Sequence, residues 1–265
     1  MNRSQKVWQD IQEVREKKPL IHNITNYVVM NNTANALLAI GASPVMAHAI
    51  EELDEMVKMA SALVINIGTL DNQLISSMYE ALNAARDYET PVILDPVGAG
   101  ATKLRTKTVG HLLNKYKPAI ICGNGSEIIA MAGSTYTTRG VDSLSSSDDA
   151  VEAGQKIAKR FDTTVIISGK IDYIINAEKT IKVLNGVEMM GRITGMGCTA
   201  SALAGAFVGV NDSAFDAALG TMVTLGIAGE IGAEDAKGPG SLQMYILDAL
   251  YNLDQKAIQG KIRVE

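Results

Sequence analysis

Residues 193–199 read Ile-Thr-Gly-Met-Gly-Cys-Thr and precede a run of small and apolar residues at 200–210. Two glycines allow a tight backbone turn, and the run behind them is typical of a close-packed helix. Because a glycine turn that opens a helix points unpaired N–H groups and the positive dipole end outwards, we expect Gly195 and Gly197 to form an anion hole suited to phosphate. Cys198 would lie in the first turn, where the same field stabilises a thiolate. The alternative is a small cysteine buried in a tight helix turn.

Three more groups of residues that could take part in catalysis or binding follow predicted strands. Asp95 opens an Asp-Pro-Val-Gly-Ala-Gly turn, where it could hold a metal-bound water, anchor a substrate, or simply cap the loop. Asn124 and Glu127 lie three residues apart, which suits either the water shell of Mg²⁺ or a plain helix cap. Ser168, in Ser-Gly-Lys, offers a hydroxyl at a turn that would be unremarkable alone. Their common position favours a site, because ligands bind at the carboxyl ends of strands in such sheets.

The composition excludes several classes of protein. The chain has 265 residues, 47% of them hydrophobic, and a net charge of −5 without a long run of one sign, which disfavours nucleic acid as a partner. Its two cysteines, Cys122 and Cys198, lack the spacing of a zinc or redox motif. Residues 1–18 are charged and predict an amphipathic helix instead of a signal peptide, and no stretch has the ~18 uninterrupted apolar residues of a membrane span. We expect a soluble, cytoplasmic protein.

The elements that position these groups alternate along the chain. Continuous apolar runs predict strands buried on both faces, and periodic segments between them predict helices. The first of these helices has Asn26 as its expected N-cap and stops at Gly41. This alternation predicts an α/β fold with a three-layer, mainly parallel central sheet and helices on both faces. The strands are expected at 43–47 (strand or turn), 62–67, 91–94, 119–121 and 163–167, and the helices at 27–40, 51–60, 71–88, 102–116, 126–131 and 148–161.

The pattern changes after residue 169. Two short strands at 173–176 and 180–184 suggest antiparallel additions at one edge of the sheet, and the rest of the chain is predicted to be helical. The polar stretch 133–147 is expected to be a loop. Because we find neither a linker nor an internal repeat, residues 1–265 are predicted to form a single domain. The last three helices are expected at 200–210, 213–231 and 241–253.

Familiar catalytic motifs are missing or misplaced. Residues 195–200 formally match a GxGxxA dinucleotide pattern, but this pattern belongs to a first βαβ unit and here comes late in the chain. The chain contains no GxxxxGK[ST] loop and no GxSxG elbow. His22, His48 and His111 are scattered without metal-ligand spacing, and His111 is expected at the surface.

Taken together, the motifs resemble those of the hydroxyethylthiazole kinases of thiamine biosynthesis, within the ribokinase-like superfamily. The similarity runs from about Pro19 to the last helix. It is specific, because the early Asn-rich block and the cysteine-ended glycine motif are not shared by the sugar kinases of the superfamily. The matching segments are 20–28 (Leu-Ile-His-Asn-Ile-Thr-Asn-Tyr-Val), 33–35, 41–46, 65–70, 93–100, 123–128 and 194–198.

This resemblance implies transfer of the γ-phosphoryl group of ATP to the hydroxyl of 4-methyl-5-(2-hydroxyethyl)thiazole, with Mg²⁺. It also implies a homotrimer with the thiazole site at subunit boundaries. Carried over by residue, the implied catalytic positions are Cys198, Gly197 and Gly195; the substrate positions are Met46, Gly195 and Asn26; the nucleotide positions are Cys122, Ser168, Thr194 and Asn124; and the metal positions are Asp95 and Glu127.

Two departures from family patterns bear on function. The family usually has Arg or Lys where this chain has Cys122, and loss of one charge-assisted phosphate contact weakens binding by roughly 1.5–3 kcal/mol. Lys170 is one candidate replacement. The wider superfamily has an aspartate as catalytic base where this chain has Cys198, although many thiazole kinases share the cysteine. We hypothesise that Cys198 orients the alcohol and accepts its proton late.

Two other classes of protein stay open from the sequence. One is a related ribokinase-like enzyme, namely a hydroxymethylpyrimidine kinase, a pyridoxal kinase or an ATP-dependent hydrate dehydratase, in which aspartate is expected at the position of Cys198. The other is a non-catalytic nucleotide-binding protein, which the loss of a cation at Cys122 makes conceivable.

Overall fold

The computed structural model describes residues 2–135 and 147–265. Its centre is an eight-stranded sheet of order β2-β1-β3-β4-β5-β6-β7-β8, parallel from β2 to β6 and antiparallel at β7 and β8. The predicted edge hairpin is therefore confirmed. The strands are β1 (Leu20–Ile24), β2 (Ser43–Val45), β3 (Ala62–Asn66), β4 (Val92–Asp95), β5 (Ile120–Asn124), β6 (Thr164–Ser168), β7 (Asp172–Ile175) and β8 (Thr180–Val183).

Helices cover both faces of this sheet. The described helices are α1 (Arg3–Lys17), α2 (Met30–Ile40), α3 (Leu53–Met59), α4 (Asn72–Asp87), α5 (Lys103–Lys115), α6 (Gly125–Thr135), α7 (Ser147–Phe161), α8 (Met196–Val208), α9 (Ala214–Asp235), α10 (Pro239–Asn252) and α11 (Gln255–Lys261), with short 3-10 turns at Ile50–Glu52 and Glu188–Arg192.

Two hydrophobic cores lie on opposite sides of the sheet. One contains α1, α2 and α8 to α11, and the other contains α3 to α7. Strand residues alternate between them: Cys122 packs in the first core and its neighbour Ile121 in the second. Because strand side chains alternate in direction, a run that is apolar throughout must be covered on both faces. The three-layer, mainly parallel architecture predicted from these runs is confirmed.

Local capping chemistry sets most of the helix ends. Asp71 and Thr102 each accept a backbone N–H as N-cap of α4 and α5, as the sequence predicts. The prediction for the first helix after β1 is wrong at its start, because α2 begins at Met30 after a turn and Asn26 does not cap it. The amide of Asn26 is used elsewhere, in a buried hydrogen bond with Asn66. Helix α11 was not predicted, and most of the predicted 133–147 loop lies outside the described residues.

Helix α8 packs unusually close to the sheet, and its residues from Thr199 to Val208 are buried. A Cβ added at Gly205 would lie 2.9 Å from Ile21 Cγ2 and 3.0 Å from Val64 Cγ2, so glycine is required for this approach. Its partner α9 has the length and hydropathy of a membrane span, but 78% of that window is buried within the fold. This burial is typical of a core helix.

Candidate active site

Four consecutive strands of the parallel region end in polar side chains. Asn66 on β3 pairs in register with Asp95 on β4, and Asn124 on β5 pairs with Ser168 on β6. Since parallel strands present their carboxyl ends at one edge, all four residues lie along the same edge of the sheet. The N-terminal half of α8 meets this edge, where Cys198 lies near Asn26 and Ser201 bonds to Asp95.

A buried hydrogen-bond network joins five residues at this edge. Asn26 Nδ2 donates to Asn66 Oδ1 at 2.8 Å, and Asn66 Nδ2 donates to Asp95 Oδ2 at 2.6 Å. Ser201 Oγ on α8 donates to the same carboxylate oxygen at 2.8 Å. Asn26 Nδ2 also lies 3.5 Å from Cys198 Sγ. The network therefore fixes the orientation of Asp95 beside the thiol.

Sequence reasoning missed two members of this network, Asn66 and Ser201. Asn66 carried a usable signal, because it is a polar residue at the end of a strand that is otherwise apolar on both faces. Ser201 carried none, since a serine in a run of small helical residues is unremarkable. Its contact with Asp95, 106 residues away in sequence, depends on how α8 packs on the sheet.

Burial dominates the electrostatics of Asp95. Desolvation first, with a smaller effect of the nearby Glu127 charge, raises the pKa of Asp95 to about 7 against the opposing hydrogen bonds from Ser201 and Asn66. A carboxyl group in this environment carries only part of its charge at neutral pH. A cation brought next to it would favour the charged form.

The expectation of a stabilised thiolate at Cys198 is wrong. Burial first, and then the Asp95 charge, raise the pKa of Cys198 to about 12. A helix N-terminus stabilises a nearby negative charge by about 0.3–1 kcal/mol. The rise in the pKa of Cys198 from 9.0 to about 12 corresponds to about 4 kcal/mol against the thiolate. The desolvation of the sulfur therefore outweighs the helix dipole, and Cys198 is a neutral thiol.

The start of α8 has the form predicted for an anion hole. Gly195 adopts φ 82° as N-cap, and no side chain caps the helix. A Cβ at Gly195 would lie 2.6 Å from Val29 Cγ1, so both conformation and space require glycine there. A Cβ at Gly197 would meet no described atom within 4 Å outside its own helix turn, so the space around it is open. Thr194, just before the turn, is exposed.

Asn124 and Glu127 form a reciprocal helix cap at the start of α6. Asn124 Oδ1 accepts the Glu127 N–H at 3.0 Å, and Glu127 Oε2 accepts the Asn124 N–H at 2.8 Å. The other carboxylate oxygen, Oε1, accepts the Gly98 N–H at 2.7 Å and so ties α6 to the turn after Asp95. The capping alternative from the sequence is therefore present, and it leaves lone pairs of Glu127 free for a further ligand.

Within residues 2–135 and 147–265, no three His, Cys, Asp or Glu side chains cluster as a ready metal cage. Asp95 and Glu127 are two carboxylates close enough for their charges to interact. This donor set suits Mg²⁺, which keeps several waters and binds through one or two carboxylates together with substrate phosphates.

A cavity of about 410 Å³ lies beside the cap. Polar groups come from Ser126 at the start of α6 and from Ser168 and Lys170 after β6, while Ile129, Ala150 and Tyr173 are among its remaining walls. Its volume is typical of small-molecule sites.

Cys122, expected among the nucleotide contacts, does not line this cavity. Its side chain is 2% exposed and packs in the core that contains α8 and α9, whereas Ile167 and Ala150 of the cavity belong to the opposite core. Burial raises the pKa of the Cys122 thiol well above its usual range. The thiol is therefore a neutral core group.

Met46, expected at the substrate site, follows the edge strand β2 and is half-buried. The segment after it is held firmly: His22 Nε2 lies 2.8 Å from the Ala47 carbonyl oxygen, and Ser77 Oγ donates to the His48 carbonyl at 2.8 Å. Both histidines thus have structural contacts, and His111 is exposed as predicted.

Comparison with known proteins agrees with this architecture. The model of the hydroxyethylthiazole kinase family matches residues 11–256. A hydroxyethylthiazole kinase from Syntrophus aciditrophicus (strain SB) is 53% identical over 258 residues, covering 97% of this chain and 96% of that protein. The structure of a hydroxyethylthiazole kinase protein from Pyrococcus horikoshii OT3 superposes with a TM-score of 0.91 at 44% identity, with 98% of each chain covered.

A more distant structure has the same fold. A ribokinase-like superfamily protein from Enterococcus faecalis V583 gives a TM-score of 0.63 at 12% identity, covering 91% of this chain and 93% of that one. The polar strand ends, the open helix start and the full-length matches all agree, and the chain belongs to the hydroxyethylthiazole kinase family.

Proposed function

We propose that this protein transfers the γ-phosphoryl group of ATP to the hydroxyl of 4-methyl-5-(2-hydroxyethyl)thiazole, giving the thiazole phosphate used in thiamine synthesis. The full-length family match carries this proposal. The site supports it, because an uncapped helix start faces a buried polar network beside a cavity of suitable size. Phosphoryl transfer needs positioning and charge stabilisation more than a strong base.

The nucleotide is assigned to the cavity next to α6. Ser168 and Asn124 would contact its phosphates at the strand ends, and Thr194 would do so from the exposed turn before α8. The thiazole alcohol is assigned to the other side of the α8 start, with Asn26, Met46 and Gly195 as its contacts. In this arrangement the backbone N–H groups of α8 face the phosphoryl group during its transfer.

Mg²⁺ is proposed as the metal, with Asp95 and Glu127 as its carboxylates and Asn124 as an amide partner for its waters. Bound there, it would neutralise phosphate charge. The network around Asp95 supports this assignment, because Asn66 and Ser201 fix the carboxylate in one orientation.

Cys198 is proposed to orient the alcohol. Its sulfur lies 3.5 Å from Asn26 Nδ2, and the thiol stays neutral, so it can hydrogen-bond to the hydroxyl without strong basicity. In the reaction the alcohol oxygen bonds to the γ-phosphorus, the bond from that phosphorus to the bridging oxygen of ADP breaks, and the hydroxyl proton passes late to an oxygen of the transferred phosphoryl group.

We also propose a homotrimer with the thiazole site at a subunit boundary. Tyr27 and Val28 directly follow Asn26 and are 60% and 66% exposed, which is unusual for large apolar side chains next to a site. The cytoplasmic location expected from the sequence stays a prediction.

A coupled assay of ADP release tests the function. The purified chain, ATP and Mg²⁺ are incubated with the thiazole alcohol, hydroxymethylpyrimidine or pyridoxal. We expect ADP release with the thiazole alcohol at a kcat/KM well above those for the other two alcohols. Preference for another alcohol would assign the chain to that activity instead, and no release with any of them would favour a non-catalytic nucleotide-binding protein.

A further inference from the structure

The turn between β6 and β7 is held by a buried carboxylate that the proposed reaction does not use. Asp172, the first residue of β7, is 8% exposed, and its Oδ1 accepts the Gly169 N–H at 2.9 Å. This bond spans three residues and closes the turn at the point where the sheet changes from parallel to antiparallel. Because side-chain acceptors of this kind fix turn geometry, Asp172 sets the direction of the residues between Ser168 and itself.

The same turn brings Lys170 to the wall of the 410 Å³ cavity. Lys170 is the only charged side chain among the described residues that line this cavity. Hydroxyl groups of Ser126 and Ser168 line it too, and Gly125 brings the N-terminus of the eleven-residue helix α6 to it. A cation, two hydroxyls and a helix N-terminus together favour a phosphate-bearing ligand.

The charge of Lys170 is available for such a ligand. The side chain is exposed, and it forms no ion pair with any residue in 2–135 or 147–265. The ion pairs that lysines make within these ranges all involve other lysines. Cys122 supplies no charge here, because its neutral thiol is buried in the opposite core.

We propose that Lys170 binds the phosphates of the nucleotide and that Asp172 is the positioning residue that fixes the turn presenting it. This inference rests on the proposed assignment of the cavity to the nucleotide. It implies that the contribution of Lys170 grows with the number of phosphates on the ligand, whereas a lysine that only shapes the wall would affect all adenine nucleotides alike.

Titration calorimetry with ATP, ADP and AMP tests the role of Lys170. The Lys170→Met variant keeps the length of the side chain and removes its charge. We expect it to bind ATP about fivefold more weakly than the wild type, with a smaller loss for AMP, because a solvent-accessible ion pair contributes about 1 kcal/mol. Lys170→Arg should retain most of the affinity. The matched control is Lys182→Met, since Lys182 is an exposed lysine on the neighbouring edge strand and lies outside the cavity lining.

Two outcomes would overturn the role of Lys170: ATP affinity unchanged in Lys170→Met, or an equal loss for ATP and AMP. These are distinguishable from failure of the proposed function. If the wild-type chain bound no ATP and released no ADP, the nucleotide assignment itself would fail. If the wild type binds ATP, any difference in Lys170→Met is attributable to the Lys170 side chain.

The positioning role of Asp172 is tested with a pair of variants. Asp172→Asn keeps the acceptor for the Gly169 N–H and should leave the KM for ATP within about twofold of the wild type, whereas Asp172→Ala removes it and should raise the KM about threefold or more with little change in kcat. Thermal melting checks that both variants fold. Equal KM values for Asp172→Ala and Asp172→Asn, both folded, would contradict the proposal.

Discussion

Cys198 lies between the Asn26 amide and the buried carboxylate of Asp95, and these neighbours decide its chemistry. Its place in the first turn of α8 favours a thiolate, but desolvation is the larger effect and keeps the proton on sulfur. The same reasoning applies to Asp95, whose pKa is raised to about 7 by burial. At the scale of single residues, burial sets the protonation of both groups.

We therefore expect Cys198 to assist the reaction without being essential. Cys198→Ala should lower kcat by less than about a hundredfold and leave the KM values nearly unchanged, because the helix amides still hold the transferring group. Cys198→Asp should keep or improve turnover, since a carboxylate at this position can accept the proton, whereas a thiol whose pKa is about 12 already carries one. Steady-state kinetics of the three proteins measures this. Full activity of Cys198→Ala would exclude a role of Cys198 in orienting the alcohol.

The buried carboxylate of Asp172 predicts a pH dependence of stability. Burial raises the pKa of Asp172 to about 7 from an ordinary 3.8, so the folded state keeps a proton that the unfolded chain loses. The free energy of unfolding that depends on protonated Asp172 is therefore fully present below about pH 4, and it falls as the pH rises towards 7. Asp172→Asn should be more stable than the wild type at pH 8, by up to about 4 kcal/mol, and similar to it at pH 4.

Urea unfolding at pH 4 and pH 8 measures this difference. The control is Asp212→Asn, because Asp212 is exposed and its removal should change the free energy of unfolding little at either pH. A wild type and an Asp172→Asn variant with the same pH profile would show that the pKa of Asp172 is not raised by folding, and the water-excluded environment inferred for it would be wrong.

At the scale of elements, the site depends on loops that hold one another at the carboxyl edge of the sheet. The guanidinium of Arg105, on α5, donates to the carbonyl oxygens of Ile67, Gly68 and Val97 at 2.6 to 3.1 Å. These carbonyls belong to the turns after β3 and β4, so one side chain joins both turns. Glu127 makes the corresponding link from α6 to the turn after β4. Such cross-links fix the turns that surround Asp95.

The two glycines at the start of α8 should respond differently to alanine. At Gly195, φ 82° and the 2.6 Å approach to Val29 Cγ1 predict a loss of about 2–4 kcal/mol in the free energy of unfolding. At Gly197 the added methyl group meets nothing within 4 Å, so stability should stay within about 1 kcal/mol of the wild type. Activity should still fall at least about tenfold, because the methyl group occupies the space assigned to the phosphoryl group.

Denaturant unfolding and kcat/KM, measured on both variants, separate the two effects. The Gly195→Ala variant serves as the structural comparison, since its loss of activity would accompany a loss of stability. A stable and fully active Gly197→Ala variant would place the transferred group somewhere other than in front of α8.

At the scale of the whole molecule, the described strands form one continuous sheet, and we propose that residues 1–265 fold as a single domain. The strand β2 forms one edge of this sheet, and the segment after it carries Met46. The exposed side chains of Tyr27 and Val28 follow the buried Asn26. An assembly that covers this region would enclose the thiazole side of the site.

Light scattering coupled to size exclusion tests the homotrimer, and we expect about three times the 28.2 kDa mass of the chain. Val28→Asp should shift the protein towards monomer and raise the KM for the thiazole alcohol, because a charge on an apolar contact surface is costly to bury. Leu104→Asp is the matched control, since Leu104 is an exposed leucine of α5, away from β2. A wild type that is monomeric at assay concentrations would contradict both the trimer and the shared site.

The sequence by itself determined most of the elements, although not β1 or α11, and the polar ends of β4, β5 and β6, because hydrophobic periodicity, caps such as Asp71 and turn glycines act over a few residues. It could not determine the start of α2, since the side chain of Asn26 is engaged by Asn66, 40 residues away. Nor could it assign Cys122 to the interior or identify Asn66 and Ser201 as partners of Asp95.

Those features, and the neutral state of Cys198, were decided by the tertiary structure alone. A pKa depends on how much water and which charges surround a group, and at this site α8, β1, β3 and β4 supply those surroundings from distant parts of the chain.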